Sequence, residues 1–190
     1  MNVNNLNINE IPWSRIVHSY GRATEYPIWF NHIKNGTLEQ QENALNNIKM
    51  TIEHQDGLTY VTPVFLPFVF ELLLSKSASK KGILEIIESV VIATGFQYDY
   101  FEIDKTLPRL SVKELIKEEF LWPEFENENN DELLWEQYTY EPQYWLELTA
   151  EILLKEKRNL DQLTCSDIQI RDLKDNIIQR INKLCQTYDL

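Results

Sequence analysis

VTPVFLPFVFELLL, residues 61–74, is the most apolar run in the chain, and its reading decides the fold. Periodicity cannot separate helix from strand where nearly every side chain is apolar, so length and flanking residues arbitrate. Pro63 and Pro67 decide for helix. A central strand cannot spare two backbone donors, whereas the first turn of a helix leaves its donors unbonded anyway. Thr62 is then the candidate cap. The run holds 14 residues, carries Glu71 and falls short of the roughly 20 needed to cross a bilayer, so it reads as a buried core helix rather than a membrane span.

Working outward, helical spacing recurs on both sides. Upstream, residues 11–20 read as a short helix broken at Gly21, and a second helix opens near Pro27 and stops at Gly36, the usual order of proline at the start and glycine past the end. Thr37 with Gln40 forms a capping-box pattern, and Leu38, Gln41, Leu45, Ile48 and Ile52 mark one face of a helix ending near His54. Asp56-Gly57 supplies a turn into the central run. Downstream, 83–94 is a helix that Gly95 is expected to end. Ser111 with Glu114 opens another, carrying Leu115, Ile116 and Phe120 up to the break at Trp122-Pro123. Helices follow at about 131–140 and 142–157. Over the last helix Ile170, Leu173, Ile177, Ile181, Leu184 and Tyr188 form an amphipathic stripe that a lone domain buries.

The expected fold is therefore all-α, an array of helical hairpins in a single domain over 1–190, with residues 1–10 disordered. A chain of 190 residues can bury about two thirds of the surface that its unfolded form exposes. Cys165 and Cys185 read as lying in one helical region about five turns apart, too far to bridge, and so as reduced thiols of a cytoplasmic protein. The N-terminus shows no basic region followed by an apolar block, so neither export nor insertion is expected.

The net charge of −12 is unevenly placed: residues 99–154 hold 15 acidic and 4 basic side chains. Such a field repels phosphates and anionic membranes and draws in basic partners, so neither nucleic acid nor membrane is the expected target.

The order W, H, x, Y, G, x, A, then P after three residues is carried here by Trp13, His18, Tyr20, Gly21, Ala23 and Pro27. His54, Gln55, Gly57 and Tyr60 follow, and then the proline-containing apolar helix. Over 13–74 this resembles bacterial HEAT-like helical-repeat proteins, some of them encoded beside secreted toxins as immunity proteins of contact-dependent growth-inhibition systems. Asp56 is an insertion relative to that pattern, and beyond Ser75 the resemblance does not extend. It implies a HEAT/armadillo-like α-solenoid fragment and a binding role, and it carries over no catalytic residue. By their own chemistry, Gly21 supplies a backbone turn, Trp13 and Tyr20 fill space, and His18 can hold a buried hydrogen bond.

Signatures of catalysis are sparse. Three histidines, His18, His32 and His54, have no spacing that sets two on one helix face, and no C-x-x-C, H-E-x-x-H, glycine-rich phosphate loop or G-x-S-x-G elbow is present. Ser19, Thr24 and the two cysteines lack the surroundings of a nucleophile, and carboxylate pairs are too abundant to single out an acid and a base. No metal, cofactor or catalytic residue is expected, and the chain reads as a binding protein rather than an enzyme.

The informative stretch is 118–154, which has no lysine or arginine. Its first part interleaves Glu118, Glu119, Glu124, Glu126, Glu128, Asp131, Glu132 and Glu136 with Trp122, Trp135, Tyr138 and Tyr140. Aromatic anchors bury large area at little conformational cost, and the carboxylates around them pair with lysine and arginine and speed encounter. These twelve residues form the expected partner-binding surface. The expected partner is a basic toxin domain, with a ribonuclease the favoured type because its cleft must be positive to hold phosphate, bound one-to-one by a monomer. The competing expectation is a HEAT-like scaffold for an endogenous basic protein.

Overall fold

The computed structural model describes residues 6–76, 78–137 and 141–188. The fold is all-α, and its eight helices among the described residues are α1 (Tyr26–Asn35), α2 (Leu38–Thr51), α3 (Val61–Leu74), α4 (Lys80–Tyr100), α5 (Val112–Leu115), α6 (Glu128–Gln137), α7 (Pro142–Gln162) and α8 (Ile168–Tyr188). Two minimal antiparallel hairpins precede α1 and α3: β1 (Val17–His18) with β2 (Gly21–Arg22), and β3 (Glu53–His54) with β4 (Gly57–Leu58).

Helix α3 is the core, as its composition dictates. Only Pro67, Glu71 and Leu74 of its residues escape full burial. Pro67 stands in the second turn, not the first, where a missing donor costs about 3 kcal/mol in an ordinary helix interior. Packing on three sides offsets that loss, because α1, α4 and α7 all lie against α3. Thr62 caps nothing at its own helix. Its hydroxyl donates to the Ile52 carbonyl and accepts from the Thr59 N–H at 2.9 Å, tying the end of α2 to the start of α3. At the α1 side, Trp13 stacks on Tyr26 with ring centroids 5.7 Å apart, and both meet Phe65 edge-on.

The most extensive helix contacts are α1 with α2, α4 with α8 and α3 with α7, and helices consecutive along the chain also pack as the pairs α3 with α4 and α7 with α8. Between pairs, α1 meets α3 and α3 meets α7, while α2 meets α4 and α4 meets α8. The middle hairpin thus lies between the other two, with the first helices of the pairs in one layer and the second helices in the other.

Several local expectations are corrected. In place of a helix over 11–20 the chain makes a single 3-10 turn at Trp13–Arg15 and then the first hairpin. Residues 6–10 are not a disordered tail: Ile8–Glu10 form a turn, and the Ile8 carbonyl accepts from the Trp13 indole at 2.7 Å. The second hairpin turns on Gln55 and Asp56, with φ of 51° and 62°, one residue earlier than Asp56-Gly57. Two successive left-handed residues are what a tight hairpin connection demands. Helix α4 runs straight through Gly95, which faces Leu184 of α8, because a glycine in mid-helix permits close packing as readily as it permits a stop. The helix expected after Ser111 shrinks to one turn, α5, although its capping box is present. Cys165 precedes α8 instead of sharing a helix with Cys185, and no disulfide joins the two.

Candidate functional site

Residues 101–137 join the second hairpin of helices to the third, and they take an indirect route. Near α7 the Asp104 N–H donates to Gln143 Oε1 at 2.8 Å, and Gln143 Nε2 returns a bond to the Asp104 carbonyl at 2.9 Å. At the start of α3 the Tyr60 hydroxyl donates to the Leu115 carbonyl at 2.5 Å. Ahead of α1 the Trp122 N–H donates to the Arg15 carbonyl at 2.9 Å, and Arg15 Nε donates to the Trp122 carbonyl at 2.7 Å. The segment therefore crosses the leading ends of α7, α3 and α1 in turn, as a strap along one edge of the stack. The positive ends of those helix dipoles favour a chain rich in carboxylates there.

Arginine fixes the strap. Arg15 holds both oxygens of Glu118 at 2.7 Å and reaches Glu124 at 3.3 Å. Arg22 grips Asp131 through Nε at 2.7 Å and a second nitrogen at 2.5 Å, and its remaining nitrogen donates to the Ser14 carbonyl. The hydrogen bonds from Arg22 hold the Asp131 carboxyl below the usual range, and those from Arg15 do the same for Glu118. Phe125 lies on the Arg22 guanidinium, 5.3 Å from its ring centre.

These contacts redistribute the expected partner-binding residues. Trp122 is corrected outright: it is fully buried, tilted against Trp135 with ring centres 4.9 Å apart, and its indole points at Asp131. A side chain so enclosed cannot anchor a partner. Glu118, Glu124 and Asp131 are engaged by arginines of their own chain, so much of their charge is already compensated. Glu119, Glu126, Glu128 and Glu132 remain exposed with no arginine or lysine among the described residues on them, although Glu126 accepts from Asn130. Trp135 is 44% exposed, Phe125 54% and Leu133 52%. At about 100° per residue, Glu128, Glu132 and Trp135 share one side of α6, and Asp131 and Leu134 flank it toward the body. Tyr138, Tyr140 and the side chain of Glu136 lie outside the described residues.

Sequence reading missed Arg15, Arg22 and Phe125. The arginines are the only two cations in the first 33 residues, which was the available signal, but nothing local says where they point.

A second polar cluster bridges the two hairpins. Buried His18 accepts the Tyr20 backbone N–H at Nδ1, 3.1 Å away, so its neutral ring carries the proton on Nε2. The Tyr20 hydroxyl lies 3.1 Å from His54 Nδ1. Burial lowers the His18 pKa, partly countered by Glu25, and raises that of Glu53 beside His54. The cluster joins the hairpins through Tyr20, which is 59% exposed, and no serine or cysteine hydrogen-bonds to either ring among the described residues. Among the described residues, no group of three metal-ligating side chains stands together and no helix is long and apolar enough to cross a membrane. Protein-family models, curated proteins and solved structures were each compared with the chain, and none matches.

Proposed function

We propose that this chain is a protein-binding domain whose strap docks a basic partner protein, and that the partner is a toxin nuclease which the chain neutralises as its immunity protein. The observation that carries the reading is the exposure of Phe125 and Trp135 among the uncompensated carboxylates Glu119, Glu126, Glu128 and Glu132. Large apolar side chains left open beside unpaired like charges favour a partner that covers the one and neutralises the other. A nuclease cleft, positive because it must hold phosphate, offers that complement, and occupation of the cleft excludes the nucleic acid. The stacked order of three helix pairs also suits the short HEAT-like solenoid that the N-terminal resemblance implies, a fold whose extended edges serve as binding surfaces.

The test is co-purification with the product of the adjacent upstream gene, using the native chain and a triple variant Trp135→Ala, Glu128→Gln, Glu132→Gln. Capture by the native chain and loss of capture by a variant of unchanged helical content is the expected result. Equal capture by both would move the interface off the strap. Salt should slow association more than it speeds release, since exposed charges are screened over about 8 Å at physiological ionic strength.

A further inference from the structure

The second halves of α3 and α7 border a partly open cavity of about 270 Å³, bounded also by Leu6. Its walls are largely apolar, with Leu6, Phe70 and Leu74 contributing, and Glu156 and Asn159 of α7 line it on the other side. Glu156 occupies a position that the pattern of its helix reserves for the core: Ile152 and Leu160, four residues to either side, are fully buried. At 6% exposure Glu156 is itself buried. One carboxylate oxygen, Oε2, accepts from the neutral Asn159 amide, and no described residue donates to Oε1.

No ion pair answers it among the described residues; the exposed Arg158 and Lys155 only pull on it from a distance. Lys155 is paired with Glu151 and Lys157 with Asp161. Other carboxylates of low exposure are answered differently: Asp131 meets Arg22, Glu147 meets Arg109 and Glu88 meets Arg180. A buried carboxylate without an ion pair is unfavourable unless it neutralises itself, and burial pushes the Glu156 carboxyl above its ordinary range against the pull of Arg158 and Lys155. A ligand that brings positive charge and an apolar stem would relieve that cost.

We propose that this cavity binds an aliphatic ammonium group, its alkyl stem against Leu6, Phe70 and Leu74 and its head on Oε1 of Glu156. The volume lies just below the roughly 300–1,000 Å³ typical of small-molecule sites, which restricts the occupant to a short chain and excludes a nucleotide-sized ligand. One further feature sets the sign: Glu71 stands at the rim, held only by an exposed lysine, Lys34. The same head group is offered by a free alkylamine and by a lysine side chain. The site is independent of the strap, which runs along the leading ends of the same helices, roughly 20 Å away for a helix the length of α3.

The experiment is a titration of the full chain with n-pentylammonium, followed by calorimetry and NMR, with n-pentanol as the neutral control and Nα-acetyl-lysine N-methylamide as the side-chain mimic. Saturable binding of pentylammonium, no binding of pentanol, and at least a tenfold loss of affinity in Glu156→Gln are expected. Glu71→Gln should lose less than threefold. In the native chain, contacts from the ligand methylenes to the Phe70 ring are expected in nuclear Overhauser spectra, a readout that does not depend on any variant folding. Binding of both cations assigns the cavity to a lysine side chain, and binding of pentylammonium alone assigns it to a free amine. Absence of saturable binding at millimolar concentration, equal affinity in Glu156→Gln, or contacts confined to the strap would each overturn the proposal.

Discussion

Arg22 and Asp131 stand 109 positions apart in sequence and meet through two parallel hydrogen bonds, with side chains only 9% and 18% exposed. This pair pins the acidic strap to the first hairpin. Asp131→Asn leaves a nearly buried guanidinium without its charge partner, and should lower stability by about 1.5–3 kcal/mol in urea unfolding. Arg22→Lys should not rescue the geometry, because an ammonium cannot form the paired fork. Acid tests the same contact. The Asp131 carboxyl is held low by Arg22, so its contribution is present above the unfolded value of about 3.9 and disappears as pH falls through the folded one. A strap that stayed in place after both perturbations, judged by the near-ultraviolet signal of Trp122 and Trp135, would refute this account.

His18 predicts a second pH effect at a different range. Burial depresses its pKa, so the unfolded chain takes up a proton before the folded chain does. Stability from this group is complete above the unfolded value of about 6.5 and declines as pH drops below it, until the folded group also titrates. His18→Gln cannot titrate, and its stability should fall less steeply between about pH 6.5 and 5 than that of the native chain. Matching slopes would assign the pH dependence elsewhere.

Two tryptophans in contact should behave oppositely. Trp122→Ala opens a hole under the strap and should cost about 3–5 kcal/mol. Trp135→Ala removes mainly one half-exposed ring tilted against Trp122 and should cost about 0.5–1.5 kcal/mol while weakening partner capture. Thermal unfolding beside a capture assay separates the two, and a Trp135→Ala chain that binds as well as the native one would remove Trp135 from the interface.

Gly95 offers a stabilising change. It lies inside α4, and a Cβ there would meet only the mobile end of Leu184, at 3.4 Å. Gly95→Ala should therefore gain up to about 0.5–1 kcal/mol through reduced freedom of the unfolded chain. A loss of stability would show that α4 and α8 cannot yield at this point.

What was legible in the sequence follows the reach of each signal. Thr37 with Gln40 closes the capping box that opens α2, and the stripe through Ile177, Ile181 and Leu184 is buried as its spacing requires. Both are local patterns fixed by helix geometry. The hairpins before α1 and α3 escaped notice because two-residue strands are too short to show alternation. The acidic aromatic stretch was recognisable by composition, but composition is silent about which of its residues face inward. Trp122 and Trp135 are alike as letters, and only one is buried.

The chain's sequence by itself determined that helices would form, roughly where, and that one of them would be the core, because those outcomes depend on propensity and on apolar spacing within a few turns. Tertiary structure alone decided that the strap returns to Arg15 and Arg22, that part of its charge is answered from within, and that Glu156 lines a cavity without an ion pair. Each of these depends on groups distant in sequence meeting at hydrogen-bond range, and such a meeting leaves no mark on the residues near either partner.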